Sequence, residues 1–224
     1  MRARFSGGEK GITGIETAII MIAFIVVAAV FAKSILSAGI FAADKGREAV
    51  YSGLEEIQGT LEVRGDLIGF KDTLNSGGQG SLGKVEFTIT MYSDGGQADL
   101  TPAYTIDSST GALSNTNPNA NKILIAFTDQ DVAVDDCAWT VAWSGRNNGD
   151  YMLDAGEKAI VTVWLHSFDG ASWSPSGNET ANFLGTHYVD TYHAFSLEVR
   201  SAKGAVLRME RTTPPYLDPV INLR

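Results

Sequence analysis

Between Ile12 and Ala32 run 21 residues with one charge among them, Glu16, and this stretch constrains the chain more than any other feature. As an α-helix it would rise about 1.5 Å per residue, roughly 30 Å in all, the thickness of a bilayer's hydrocarbon core. The leader before it carries Arg2, Arg4 and Lys10 against Glu9, a net +2 that should hold the N-terminus in the cytoplasm. The body of the chain would then lie outside. The apolar run does not end in a turn. No proline interrupts Ile12 to Ile57, and Leu36, Ile40, Ala43, Val50, Leu54 and Ile57 recur at helical spacing. One continuous helix over this range would be about 70 Å long, far more than a membrane requires.

The leader does not have the order of a secretory signal peptide, in which the small residue at the cleavage site follows the apolar stretch. Here Gly11 precedes it, directly after Lys10. Cleavage between Gly11 and Ile12 would remove the basic leader and leave the apolar helix on the mature protein. That order resembles the class III signals of type IV pilins and archaellins, which a dedicated membrane peptidase cuts after the glycine. An uncut signal anchor is the other reading of the apolar run. Lys10-Gly11 together with Glu16, five residues into the proposed mature chain, favours cutting.

Small residues on the helix are patterned: Ala32, Gly39, Gly46 and Gly53 fall at strict seven-residue intervals. A glycine inside a helix costs about 1 kcal/mol relative to alanine, and three on one stripe suggest a return through close approach of another helix. The alternative is that Gly46 or Gly53 marks a helix end or kink.

After Ile57 the hydrophobic period changes. Leu61–Val63 has strand character within a short connection, and Lys84–Tyr92 alternates apolar and polar residues as a half-buried strand does. Further strands are expected at Ala103–Asp107, Lys122–Thr128, Ala138–Trp143, Ala159–His166, Phe195–Arg200 and Ala205–Arg211, with Lys203-Gly204 as a tight hairpin between the last two. The expected fold class is α+β, a long N-terminal hydrophobic helix followed by an antiparallel, Ig-like β-sandwich. The expected divisions are a cleaved leader over 1–11, a filament-core or membrane helix over 12–58, and an extracellular outer domain over 59–224. The tail from Thr212 holds three prolines and an apolar Val-Ile-Asn-Leu end, suited to wrapping onto a sheet or a neighbouring subunit, or to disorder. The formal charge is −9, and removing the +2 leader leaves −11 with no basic stretch, which argues against a nucleic-acid partner. The single cysteine, Cys137, excludes an intrachain disulfide and reads as a buried small hydrophobe.

Gly11-Ile-Thr-Gly-Ile-Glu16 and the apolar residues after it resemble the N-terminal signature of archaellins, the archaeal flagellins, over about 45 residues. Gly204-Ala-Val-Leu-Arg-Met-Glu-Arg-Thr-Thr-Pro-Pro215 is similar to their C-terminal hairpin and proline ending. Asn147-Asn-Gly-Asp-Tyr-Met-Leu-Asp-Ala-Gly-Glu157 resembles their turn before a strand beginning Gly-Glu-Lys. Glu16 departs from many members, which carry a small residue there, and so keeps a pilin reading open. The resemblance implies a motility filament built from copies of this chain, with or without other archaellins, at the archaeal cell surface. It implies a prearchaellin peptidase, the archaellum motor and assembly machinery, and the membrane as partners before assembly. Polymerisation and register are assigned to Glu16, Gly39, Gly46 and Gly53. Glu16 would pair with the new α-amino group of Ile12, or sit at the headgroup level as an acid near a helix N-terminus. An adhesive pilin subunit and a monomeric membrane-anchored binding module are the alternative functions.

Asn178-Glu-Thr180 is the one Asn-x-Ser/Thr sequon, a candidate glycosylation site. Asp129, Asp131, Asp135 and Asp136 form one acidic turn, and Asn147, Asp150, Asp154 and Glu157 another; neither has calcium-loop spacing, and both read as solvated. His187 and His193 could lie on one strand face, but a lone spaced pair is usually structural. No catalytic motif, cofactor motif or metal site is assigned, and the chain is not expected to be an enzyme.

Overall fold

The computed structural model describes residues 9–74, 80–116, 122–175 and 182–223, with side chains described from Gly14 onward. It divides into two units, residues 1–52 and 53–224. The first is helix alone: α1 runs unbroken over Glu9–Gln58, 50 residues. Its continuity follows from the absence of proline and from the helix-favouring Ala, Ile, Leu and Met that fill it. Every large apolar side chain from Ile15 to Ile57 is exposed.

The second unit takes the last turn of α1 and all the strands. These begin with β1 (Leu61–Val63), β2 (Leu67–Lys71), β3 (Leu82–Met91), β4 (Gln97–Asp99), β5 (Tyr104–Ile106) and β6 (Leu113–Asn115). The middle of the chain gives β7 (Leu124–Thr128), β8 (Ala133–Val134), β9 (Ala138–Trp143), β10 (Met152–Asp154) and β11 (Ala159–Trp164). The rest are β12 (Ser167–Phe168), β13 (Trp173–Ser174), β14 (Ala194–Arg200), β15 (Leu207–Thr212) and β16 (Val220–Leu223).

Two antiparallel sheets make the sandwich. One has the order β16-β2-β3-β11-β9, with β1 pairing the far end of β3; the other has the order β15-β14-β7-β8. Alternation along β3 explains the layering. Val85, Phe87 and Ile89 point into the core, while Lys84, Glu86 and Thr88 lie on the half-exposed face. From the facing sheet come Ile125, Phe127, Phe195, Leu197 and Val199, so both sheets close over one core. Phe127 and Phe195 stack there at 5.6 Å. A smaller cluster of Tyr104, Ala138, Trp164 and Phe183 forms beside it. On the outer face Lys84 Nζ lies 4.3 Å from the Phe70 ring centre and 5.1 Å from that of Trp164, its two cross-strand neighbours.

Two expectations need correction, and the structure selects one alternative for a third segment. Leu67–Phe70, within the stretch read as a short connection after the helix, belongs to an interior strand. The proline-containing tail takes the sheet-wrapping alternative: β16 pairs with β2, and Ile221 and Leu223 are buried. Leu82 and Leu223 both reach Gly69, where a Cβ would stand 2.6 Å from Leu82 Cδ1 and 3.2 Å from Leu223 Cδ1, so a larger residue there requires the Leu82 side chain to move. The hairpin between β14 and β15 is real, but its loop covers the six residues from Ser201 to Val206, not the two at Lys203-Gly204.

The helix end is closed by the same loop. Gly59 N–H donates to Glu55 O (3.0 Å), and the Thr60 hydroxyl donates to Glu56 O (2.9 Å). Ala205 N–H in turn donates to Thr60 Oγ1 (3.3 Å), and Lys203 Nζ lies 3.2 Å from Glu55. Gly204, at φ +102°, lets the two backbones come this close.

Candidate functional site

The helix surface is the first candidate. Gly39, Gly46 and Gly53 lie on one slowly drifting stripe, since seven residues at 100° fall 20° short of two turns. A Cβ added at any of them, or at Gly14, would meet nothing within 4 Å. The folded chain therefore gives no steric reason for glycine at these positions, yet each carries the helix-propensity cost. The helix runs through all three, which removes the helix-end reading of Gly46 and Gly53. Glu16 is exposed, the one charge between Ile12 and Ala32. Residues 14–58 form a helix long and apolar enough to cross a membrane. The side chains around the Gly11–Ile12 bond lie outside the described residues, as does Asn178.

The second candidate was not legible as a site. Asp129, grouped above with solvated acids, has a fully buried side chain at the end of β7. Its Oδ1 accepts the N–H groups of Val132 (2.7 Å) and Asp131 (2.8 Å), a tight turn that aims Oδ2 the other way. There Oδ2 meets His187 Nε2 at 2.6 Å and His193 Nε2 at 2.9 Å. Neither histidine is on a strand, correcting the strand-face reading; they converge from a loop and from the residue before β14. Burial pushes the Asp129 carboxyl up, but the N–H donors of Val132 and Asp131 and the two imidazoles outweigh it and hold it down at about 2.

A neighbouring cluster is buried throughout. His166 Nδ1 stands 2.7 Å from Asp72 Oδ2, off the line of a good hydrogen bond, and both side chains are inaccessible. Ser81 donates its hydroxyl to Asp72 Oδ2 (2.7 Å) and its N–H to Oδ1 (2.8 Å). Desolvation raises the Asp72 carboxyl; His166, Ser81 and the Leu74 N–H more than offset it and hold it below the usual carboxylate range. Ser81 is placed to bond Asp72 and not the imidazole, so the three are not arranged to activate a nucleophile. His166 Nε2 reaches the His187 carbonyl at 3.1 Å, which joins the two clusters.

The second acidic turn closes on itself. Glu157 accepts the N–H groups of Asn148 (3.0 Å) and Asp154 (3.1 Å), and Asn148 Nδ2 donates to Asp154 (3.1 Å). Its carboxylates fix the loop, where free solvation was expected. Cys137 is buried, and desolvation pushes its thiol up to about 12, as suits a packing residue.

A family model described as archaeal-type flagellin matches residues 11–211. The chain belongs to this family. It is 29% identical over 228 residues to probable flagellin 1 of Archaeoglobus fulgidus, covering all of this chain and 99% of the relative. Probable flagellin 2 of the same organism is 30% identical, over 92% of this chain and 91% of the relative. Among solved structures, the archaeal flagellum of Methanospirillum hungatei strain JF1 shares the fold, with a TM-score of 0.55 at 24% identity, over 91% of this chain and 95% of that one. A flagellin needs surfaces for self-association more than a catalytic centre. The exposed apolar helix is the feature of this chain that answers that need.

Proposed function

We propose that this flagellin acts by polymerising: it is a structural subunit of an archaellum filament, and it serves motility through shape and self-association. The observation that carries this reading is the helix, apolar on every side between Thr17 and Ala32 and exposed from Gly14 to Ile57. Such a helix needs either lipid or many copies of itself around it. Non-closing contacts between identical subunits generate an open helical filament. Residues 12–58 form the filament core, where the open glycine stripe lets neighbouring helices approach closely, and residues 59–224 form the outer wall. The precursor is held in the membrane and cut between Gly11 and Ile12 by a membrane peptidase. A basic leader followed by glycine and then the apolar run supports that order. Glu16 then pairs with the freed amino group of Ile12 in its own or an adjacent subunit, fixing axial register. A separate motor supplies torque, and a glycan at Asn178 adds polar bulk to the wall.

The test is the intact mass and N-terminal sequence of protein sheared from the cell surface, with negative-stain images and swimming assays of a deletion strain. A start at Ile12 in filaments, with swimming lost on deletion, is expected. A start at Met1 in the membrane fraction with no filaments would refute the processing and core assignments. Glu16→Gln should slow assembly or shorten filaments, and normal assembly would remove the pairing.

A further inference from the structure

All three histidines of the chain lie in one connected network, and two of them aim the same ring nitrogen at one carboxylate oxygen. We propose that Asp129, His187 and His193 form a binding site for a late first-row divalent metal ion, with zinc as the best match. The donor atoms Asp129 Oδ2, His187 Nε2 and His193 Nε2 all lie within 4.8 Å of one another. The rings meet edge-on, with centroids 5.7 Å apart. The carboxylate is fully buried and the rings are 18% and 20% exposed, so the ligands are rooted in the protein and one side faces solvent. Three protein ligands and an open fourth position is a coordination that zinc accepts.

The chemistry selects the ion. Two neutral imidazoles and one carboxylate present an N₂O set with a single negative charge, which suits zinc and its neighbours. Calcium and magnesium want six or more oxygens, and this site offers one. With zinc bonds of about 2.0–2.1 Å, tetrahedral ligand atoms stand roughly 3.3 Å apart. The observed 2.6 and 2.9 Å spacings open to that by less than 1 Å, within reach of small rotations of the imidazoles about χ1 and χ2.

Hydrogen bonds fix the second carboxylate oxygen of Asp129 and the backbones that carry both histidines. Asp129 Oδ1 is occupied by two backbone N–H groups, which leaves Oδ2 to the site. The His193 N–H donates to Thr213 Oγ1 (2.8 Å), and its carbonyl accepts the Thr213 N–H (2.9 Å). The His187 N–H donates to Leu184 O (3.1 Å), and its carbonyl meets His166 Nε2. Tyr192, at φ +57°, is the one described non-glycine residue with positive φ, and it turns the chain immediately before His193. A bound ion would tie the β7 turn to segments 58 and 64 residues further along the chain, a cross-brace in a domain with no disulfide.

A purely hydrogen-bonded cluster would use the same atoms, each imidazole donating Nε2–H to Asp129. His193→Gln separates the two, because the amide still donates to Asp129 but is a poor metal ligand. The full-length chain in detergent is stripped with a chelator, reloaded with Zn(II) alone and desalted. Metal is then counted by mass spectrometry, and unfolding is followed by tryptophan fluorescence. The expected result is close to one zinc per chain, a higher melting temperature with zinc, and at least about tenfold weaker binding in H193Q, the low end of what losing even an outer-shell partner costs. Less than a tenth of an equivalent in the wild-type chain, or equal retention by H193Q, overturns the proposal. Should H193Q fail to fold, Co(II) loading of the wild-type chain decides. The intense visible bands of a four-coordinate site support the assignment, and a spectrum no different from free Co(II) overturns it.

Discussion

Gly204→Ala tests how the helix end is closed. At φ +102° an L-residue is strained by about 1–3 kcal/mol. A Cβ there would also press into the carbonyl group of Gly59 and stand 2.7 Å from Thr60 N, and neither is the free end of a side chain that can swing away. Overpacking of that kind costs about 1–3 kcal/mol more. Alanine's stiffer unfolded chain returns about 0.4–1 kcal/mol, so a net loss of about 1–5 kcal/mol is expected. Gly145→Ala is the matched control. Its φ is +87° with nothing within 4 Å of the new Cβ, so it carries the strain alone, about 0–2.5 kcal/mol net. The difference, about 2 kcal/mol, corresponds to a gap of about 4–8 °C between the two melting temperatures in a domain of this size. Tryptophan fluorescence is the assay, because Trp139, Trp143, Trp164 and Trp173 all lie in the β unit and the signal ignores the helix. Equal melting temperatures for the two variants would refute the idea that the approach of the 201–206 loop to Gly59 governs this joint.

Two further perturbations follow from the same structure. Asp129 has a folded pKa depressed to about 2, so its stabilisation is complete above the unfolded value near 4 and is lost as pH falls from about 4 to 2. The loss is about 2 kcal/mol, and Asp72, also depressed, adds in the same direction. Urea midpoints measured across that range should fall more steeply for the wild-type chain than for Asp129→Asn; parallel curves would refute the assignment. Deleting Pro219–Arg224 removes β16 and the burial of Ile221 and Leu223, a loss of about 3–6 kcal/mol, and exposes the edge of β2. A lower melting temperature and increased light scattering are expected, and an unchanged melt would refute the role of the tail as an edge strand.

The helix was legible because its signal is long: no proline, one charge in 21 residues, and a period sustained past membrane length. β3 was legible by its period-two alternation, and β9 and β11 as short apolar runs bounded by turn residues. β2 was not, because Leu67-Ile-Gly-Phe-Lys is short and its glycine lies under Leu82 and Leu223, which come from strands far apart in sequence. β16 was hidden by Pro214, Pro215 and Pro219, whose composition reads as loop; an edge strand beginning just after a proline is nonetheless allowed. β5 was read at Ala103–Asp107, but its partner β6 and the pair β12–β13 are too short to carry a period. Asp129 was legible as an acid in a turn but not as a partner of histidines about 60 residues away, since no local pattern encodes a contact made by the closing of a sandwich. Its one clue was that two of only three histidines fall within seven residues.

The edges of the sandwich bear on where copies of this flagellin meet. Strand addition is the commonest route by which β domains associate unbidden, and it needs a long, flat, apolar edge. Neither sheet presents one among the described residues. β15 carries Arg208 and Glu210 outward, with Arg208 paired to Glu210 at 2.7 Å, and β8 at the opposite edge is two residues long. β16 turns Val220 and Asn222 to solvent, with Asn222 tied to Asp66 at 2.7 Å, and the first N–H of β9 is taken by Asn182 O at 2.8 Å. Exposed large apolar groups on the β unit are scattered, as Tyr92, Tyr192 and Tyr216 are, whereas on α1 they are continuous. If α1 forms the filament core as proposed, the edges of the β-sandwich let it crowd against its neighbours without strand addition, and the drive to associate resides in the helix.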